Sequence, residues 1–169
     1  HREVERDPSL EEEARLWLRK LESGDEEAVK LWRWFREESV REFSKTYRLL
    51  EVEFDLIEGE SQFVDEGKKV VELAIERKVA VKDPDGSIAV KLESHGLPNL
   101  IIMKSDGTTL YQTRDLAAAI SRYNRFKFYR LLYVVGREQS TYFKQLFQTL
   151  KLLGYDWADR CIQSTHIYG

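Results

Sequence analysis

Five apolar residues in a row, Leu131-Leu132-Tyr133-Val134-Val135, run directly into Gly136. A helical stretch from about Glu138 to Leu153 follows, Gly154 stops it, and Cys161 to Tyr168 reads as a second strand. Strand, glycine, helix, strand is a βαβ unit, and its two strands must pair in parallel through a crossover. The unbroken apolar run is the pattern of a strand covered on both faces. Ligands of such α/β sheets sit at the carboxyl ends of strands, here beside Gly136. A glycine there admits a flat ligand or a phosphate to the backbone, and Glu138 is within reach of a ribose hydroxyl. The same residues also fit a plain strand-to-helix turn with an acidic first turn.

The residues before this unit have a different pattern. Asp7-Pro8 opens a helix with the apolar stripe Leu10, Ala14, Leu16, Trp17 and Leu21, and Ser23-Gly24 ends it. Asp25 caps a longer helix to about Leu50, where Ala28, Leu31, Trp32, Phe35, Phe43 and Tyr47 recur at helical spacing. Asp7 to Leu50 is therefore expected to be a helical hairpin with an aromatic seam in its core, from which Trp34 departs. Val52 to Leu56 alternates with period two and predicts a strand. Phe63 to Lys78 predicts an amphipathic helix. Val79-Ala80-Val81 and Ser87 to Leu92 flank Asp83-Pro84-Asp85-Gly86, a hairpin signal. Leu100 to Met103 is a short apolar strand, Asp106-Gly107 a turn, and Thr113 a cap for a helix from Arg114 to about Tyr123.

Composition narrows the classes. The 169 residues are 42% apolar, enough for a real core, and carry a net charge of −3, which excludes a histone-like basic protein. No apolar run approaches the roughly 20 residues of a membrane span, and no signal-peptide pattern opens the chain. Cys161 is the only cysteine, so an internal disulfide and a thiolate-rich metal site are both excluded, and a reducing cytoplasm is the expected compartment. His1, His95 and His166 are scattered, without metal-ligand spacing. The chain opens on His1 and holds a single methionine, Met103, so both ends read as cuts in a longer protein.

Tyr111 and Asp115 lie four apart at a helix start and can face one side. A phenol and a carboxylate so placed suit a cationic ligand, with the carboxylate pairing a guanidinium. They equally suit a packed ring and a carboxylate that complements the helix dipole. His166 alone reads as a structural residue, and the tryptophans as core rather than a base-stacking surface. Phosphate-loop, nucleophile-elbow and zinc motifs are absent from the sequence. The residues taken by themselves reach a soluble α/β domain with an inserted helical lobe.

The run Lys104-Ser105-Asp106-Gly107-Thr108-Thr109-Leu110-Tyr111-Gln112-Thr113-Arg114-Asp115-Leu116-Ala117-Ala118-Ala119-Ile120 resembles the signature of the arginyl-tRNA synthetase family, K-S-D-G-x-x-x-Y-x-T-R-D. Tyr133 to Gln139 resembles the family's next block, and Phe143 to Phe147 and Leu152 to Asp159 continue it in register. Leu31 to Arg36 and Val52 to Asp55 resemble the stretch between the two halves of the family's nucleotide-binding fold. Arg137 stands where a small residue is commoner, and Tyr142 where histidine is frequent.

This resemblance implies an α/β fold: the second half of a Rossmann-like parallel sheet of the class I synthetase, HUP type (residues 101–169), preceded by an inserted helical and α+β lobe (residues 1–100). It implies that Tyr111, Asp115 and Gln139 hold L-arginine, with Asp115 on the guanidinium. It assigns Gly136, Glu138 and His166 to the adenosine of ATP. The implied reaction of the parent is ligation of arginine to its tRNA through an arginyl-adenylate, with ATP and magnesium as co-substrate and no membrane partner. The family's His-Ile-Gly-His and Lys-Met-Ser-Lys-Ser motifs are not in these 169 residues. No catalytic residue and no metal ligand is therefore assigned within the chain, and the isolated piece is expected to be inactive. The competing expectation is a non-catalytic module for binding or assembly.

Overall fold

The computed structural model describes residue 7 and residues 9–165, which form two compact units, His1–Ile57 and Glu58–Gly169. His166, assigned above to the adenosine site, lies outside the described residues, as do Pro8 and the end of the last predicted strand.

The first unit is the expected helical hairpin. In α1 (Ser9–Glu22) the Asp7 carboxylate accepts from the Ser9 backbone N–H at 3.0 Å, and in α2 (Glu26–Leu49) the Asp25 carboxylate accepts from the Ala28 N–H at 3.0 Å. Each satisfies a donor that a helix start leaves free. The aromatic seam is not the buried core that the spacing predicts. Leu31, Phe35 and Phe43 are exposed, and Ala28 is the only fully buried side chain of α2, while Trp34, which departs from the stripe, is exposed as expected. Two helices bury only one shared seam, and α2 at 24 residues runs roughly 36 Å against roughly 21 Å for the 14 residues of α1. The later turns of α2 thus have no partner within the hairpin.

The strand predicted over Val52 to Leu56 is irregular backbone. Alternation alone does not make a strand; its N–H and C=O groups need a neighbour. Val52, Phe54 and Leu56 stay exposed, and the Phe54 ring meets Tyr47 edge-on with centroids 4.7 Å apart.

The second unit begins with a 3-10 turn at Glu60–Phe63 that leads into α3 (Val64–Glu76). Strands β1 (Ala80–Lys82), β2 (Ile88–Val90) and β3 (Leu100–Met103) form an antiparallel sheet in that order. The β1–β2 turn closes as its sequence requires: the Gly86 N–H donates to the Asp83 carbonyl at 2.9 Å, and Gly86 has a φ of 90°. β3, which the sequence reading assigns to the catalytic fold from residue 101 on, pairs with β2, which it assigns to the inserted lobe.

Helix α4 (Tyr111–Phe126) follows, then β4 (Leu131–Val135), a 3-10 turn at Arg137–Gln139, α5 (Ser140–Leu152) and β5 (Cys161–Thr165). β4 and β5 pair in parallel from Leu131↔Cys161 to Val135↔Thr165, the βαβ unit read from the sequence. The expectation of a strand covered on both faces fails. Leu132 and Val134 are 56% and 65% exposed while the alternate residues are half-buried, because α5 covers only one face of the pair.

The core joins all of these elements. Val71, Ala74, Val90, Leu92, Ile102, Leu116, Ala119, Leu146, Leu150 and Leu153 are at most 2% exposed. Each fully buried leucine contributes roughly 1.5–3 kcal/mol. α3 and α4 approach closely at Gly67, where a Cβ would lie 3.4 Å from the Thr113 methyl. The Arg77 guanidinium, just past α3, donates to the Leu153 carbonyl at the end of α5. Among the described residues no helix is long and apolar enough to cross a membrane.

Candidate functional site

The signature run divides into a scaffold and a face. Its first residues reverse the chain between β3 and α4. The Gly107 N–H donates to the Lys104 carbonyl and the Lys104 N–H to the Thr108 carbonyl, both at 3.0 Å. Asp106 accepts from the Thr108 N–H at 2.9 Å, and these contacts hold its carboxyl below the usual range. Thr113 is not the cap that the sequence reading makes it. The helix starts earlier, at Tyr111 after an extended Leu110, and places Thr113 in the first turn at 0% exposure. There its hydroxyl donates to the Ile102 carbonyl of β3. A threonine aimed at a neighbouring strand anchors the helix start sideways instead of closing it.

Two further tethers hold α4. Glu58 pairs with Arg125 and, at 3.4 Å, with Arg122; Glu60 pairs with Arg114 at 3.4 Å. Arg125 first, and then Arg122, keeps the Glu58 carboxyl below its ordinary value against the opposing effect of burial. The start of α4 is thereby fixed against β3 and Glu60, and its last turns against Glu58.

On this fixed helix Tyr111 is exposed and Asp115, one turn on, is half-buried. The side chain that meets both is Tyr142, from the first turn of α5. Its hydroxyl donates to Asp115 Oδ2 at 2.6 Å, and its ring lies edge-on to Tyr111 with centroids 5.2 Å apart. Burial pushes the Asp115 carboxyl above the usual carboxylate range, and the Tyr142 hydroxyl, Arg122 and Arg114 oppose that rise in this order. Burial, then the charge of Asp115, pushes the Tyr142 phenol far above its ordinary value. The buried Tyr133 hydroxyl of β4 has no hydrogen-bond partner among the described residues, and burial raises its phenol as well.

Gly136 and Glu138 lie at the carboxyl end of β4, as the sequence predicts. Gly136 has an ordinary φ of −62°, so its backbone conformation does not demand glycine. A side chain there would overlap the Glu138 carboxylate, which folds back over it. The Gln163 amide of β5 donates to the Gly136 carbonyl at 3.3 Å. Glu138 and Gln139 are exposed. Gln139 stands one turn before Tyr142, and the group bonded to Asp115 is the phenol, not this amide. The structure therefore brings Tyr111, Asp115 and Tyr142 together and leaves the Gln139 side chain exposed, without a hydrogen bond to Asp115. The sequence signal for Tyr142 is its three-residue spacing from Gln139, which gives both one helix face. That α5 lays this face on α4 is a fact of packing. Among the described residues no group of three or more His, Cys, Asp or Glu could hold a metal ion.

Comparison with known proteins agrees with this architecture. Residues 1–168 match the family described as tRNA synthetases class I (R), catalytic domain. The arginine–tRNA ligase of Clostridium kluyveri is 52% identical over 161 residues, 95% of this chain and 28% of that protein. The one from Clostridioides difficile is 49% identical over 158 residues, covering 94% and 28%. The crystal structure of arginyl-tRNA synthetase from Plasmodium falciparum superposes with a TM-score of 0.79 at 26% identity, over 93% of this chain and 28% of that one. A putative arginyl-tRNA synthetase from Campylobacter jejuni, at 16% identity and a TM-score of 0.73 over 84% of this chain and 31% of its own, shares the fold. The chain spans 28% of the length of these curated relatives. With the family match covering nearly every residue, the chain belongs to the catalytic-domain family of the class I arginyl-tRNA synthetases.

Proposed function

We propose that the full-length protein carrying this chain ligates L-arginine to its tRNA through an arginyl-adenylate made from ATP, and that this chain supplies the arginine side-chain pocket. The observation that carries the reading is a half-buried carboxylate, Asp115, on a helix anchored at both flanks, with two phenols beside it. A partly desolvated carboxylate attracts a guanidinium more strongly than an exposed one, and the planar cation can lie against aromatic rings. Tyr111 walls the pocket, and Gln139 at its rim suits the polar end of the amino acid. Gly136 and Glu138, at the carboxyl end of β4, suit the adenosine. Magnesium enters only as the partner of the ATP phosphates. Residues 1–100 are read as a lobe inserted between the halves of the catalytic fold.

Arginine-dependent pyrophosphate exchange by the full-length protein tests the pocket. Truncating one member of a desolvated charge pair costs about 3–5 kcal/mol. Asp115→Ala should therefore lower kcat/KM for arginine by on the order of 10²–10⁴-fold. An unchanged rate would refute the assignment.

A further inference from the structure

Three features lie outside this reading. The exposed aromatic face of α2 and the bare face of β4 have nothing in the structure to say what covers them. The third is the Tyr142 phenol, bonded to Asp115 and packed on Tyr111.

We propose that Tyr142 is a positioning residue that makes the arginine pocket selective for a charged guanidinium, by holding Asp115 with a neutral donor. The proposal rests on the reading of Asp115 as the guanidinium-binding carboxylate. Among the described residues the Tyr142 hydroxyl is the hydrogen-bond donor to the Asp115 side chain, at 2.6 Å to Oδ2. A carboxylate has about four lone-pair directions. The phenol takes one, so Oδ1 stays free and Oδ2 can accept once more, enough for a two-pronged guanidinium.

The neutrality of the donor matters. A lysine or a protonated histidine at this place would itself satisfy the charge of Asp115 and compete with the ligand. A phenol does not, and its proton stays on throughout the working range because burial and the neighbouring carboxylate both disfavour its loss. The opposite failure, an Asp115 neutralised by burial, is resisted by this same hydroxyl. A neutral carboxyl would no longer distinguish arginine from an uncharged side chain of the same shape. The other groups facing Asp115 are Arg114, Arg122 and Tyr111 on its own helix and Tyr133 on β4. Arg114 and Arg122 are engaged by Glu60 and Glu58, which leaves the bonding position to Tyr142.

The test is Tyr142→Phe in the full-length protein, assayed by arginine-dependent pyrophosphate exchange across pH beside Asp115→Ala. Phenylalanine keeps the ring against Tyr111 and removes only the hydroxyl. The expected result is a KM for arginine raised roughly tenfold, the effect of losing one hydrogen bond to a charged group, with kcat within about twofold and the KM for ATP unchanged. The acid limb of kcat/KM for arginine should move to higher pH, because burial then acts on Asp115 with less opposition. An acid limb and arginine KM that stay at wild-type values overturn the proposal. So does a parallel change in kcat and both KM values, which marks a merely structural role. If Asp115→Ala itself leaves arginine activation intact, the pocket reading fails. If Asp115→Ala abolishes activation while Tyr142→Phe changes nothing, only the role of Tyr142 is lost.

Discussion

Replacing Thr113 by valine removes one hydroxyl from the anchor between α4 and β3. The two side chains have similar volume, so no large cavity forms, and the methyl group near Gly67 is retained. What is lost is the hydrogen bond to the Ile102 carbonyl, at a residue with no exposed surface. A buried carbonyl left without its donor costs about 1–3 kcal/mol, against about 0.5–1.5 kcal/mol for an average hydrogen bond. Valine recovers about 0.8 kcal/mol of that by burying an extra methyl, and valine and threonine have similar helix propensity. The expected loss is therefore about 0.5–2 kcal/mol, arising from the missing donor. Four tryptophans divided between two units make fluorescence a mixed signal. Amide hydrogen exchange at Ile102 and Leu116 reports on the second unit alone. In urea, their global-opening free energy should fall by that amount in Thr113→Val. Equal opening energies in Thr113→Val and wild type would refute the argument.

Two further outcomes follow from the burial of titratable groups. Asp115→Asn should stabilise the fold at neutral pH while abolishing arginine activation. The folded-state carboxyl titrates above its unfolded value, so wild type has full stability below the unfolded pKa and loses some as pH rises through the folded one. Asparagine carries no such cost and still accepts from Tyr142, so thermal melts should show the variant's advantage at about pH 7 and its disappearance near pH 3. Cys161, 7% exposed and with burial pushing its thiol up to about 11, should resist iodoacetamide at about pH 8 until urea opens the second unit. Rapid alkylation of the folded chain would contradict its place in the core.

Local chemistry was legible wherever a residue acts on its own neighbourhood. Asp25 caps α2, Gly86 turns the hairpin, and Gly154, at a φ of 82°, follows the end of α5. What the sequence could not carry was the identity of each element's neighbour. Val52 to Leu56 has the alternation of a strand and no strand beside it. Thr113 has the chemistry of a cap, but its helix begins two residues earlier and β3 offers a carbonyl at its side. The apolar run of β4 suggests two covered faces, and α5 covers one. The candidate site divides the same way. Tyr111 and Asp115 face one side because four residues make a helical turn, whereas Tyr142 joins them only through the packing of α5 on α4.

The bare face of β4 has a practical meaning. Leu132, Val134 and, across the ladder, Ile162 present a strip of branched aliphatic groups at strand spacing to the solvent. Adjacent strands set such groups about 5 Å apart, close enough for one flat hydrophobic surface to adhere to another. Protein concentration thus becomes a structural variable for this chain. Dilution keeps copies of the chain apart, while crowding rewards any contact that takes these three side chains out of water.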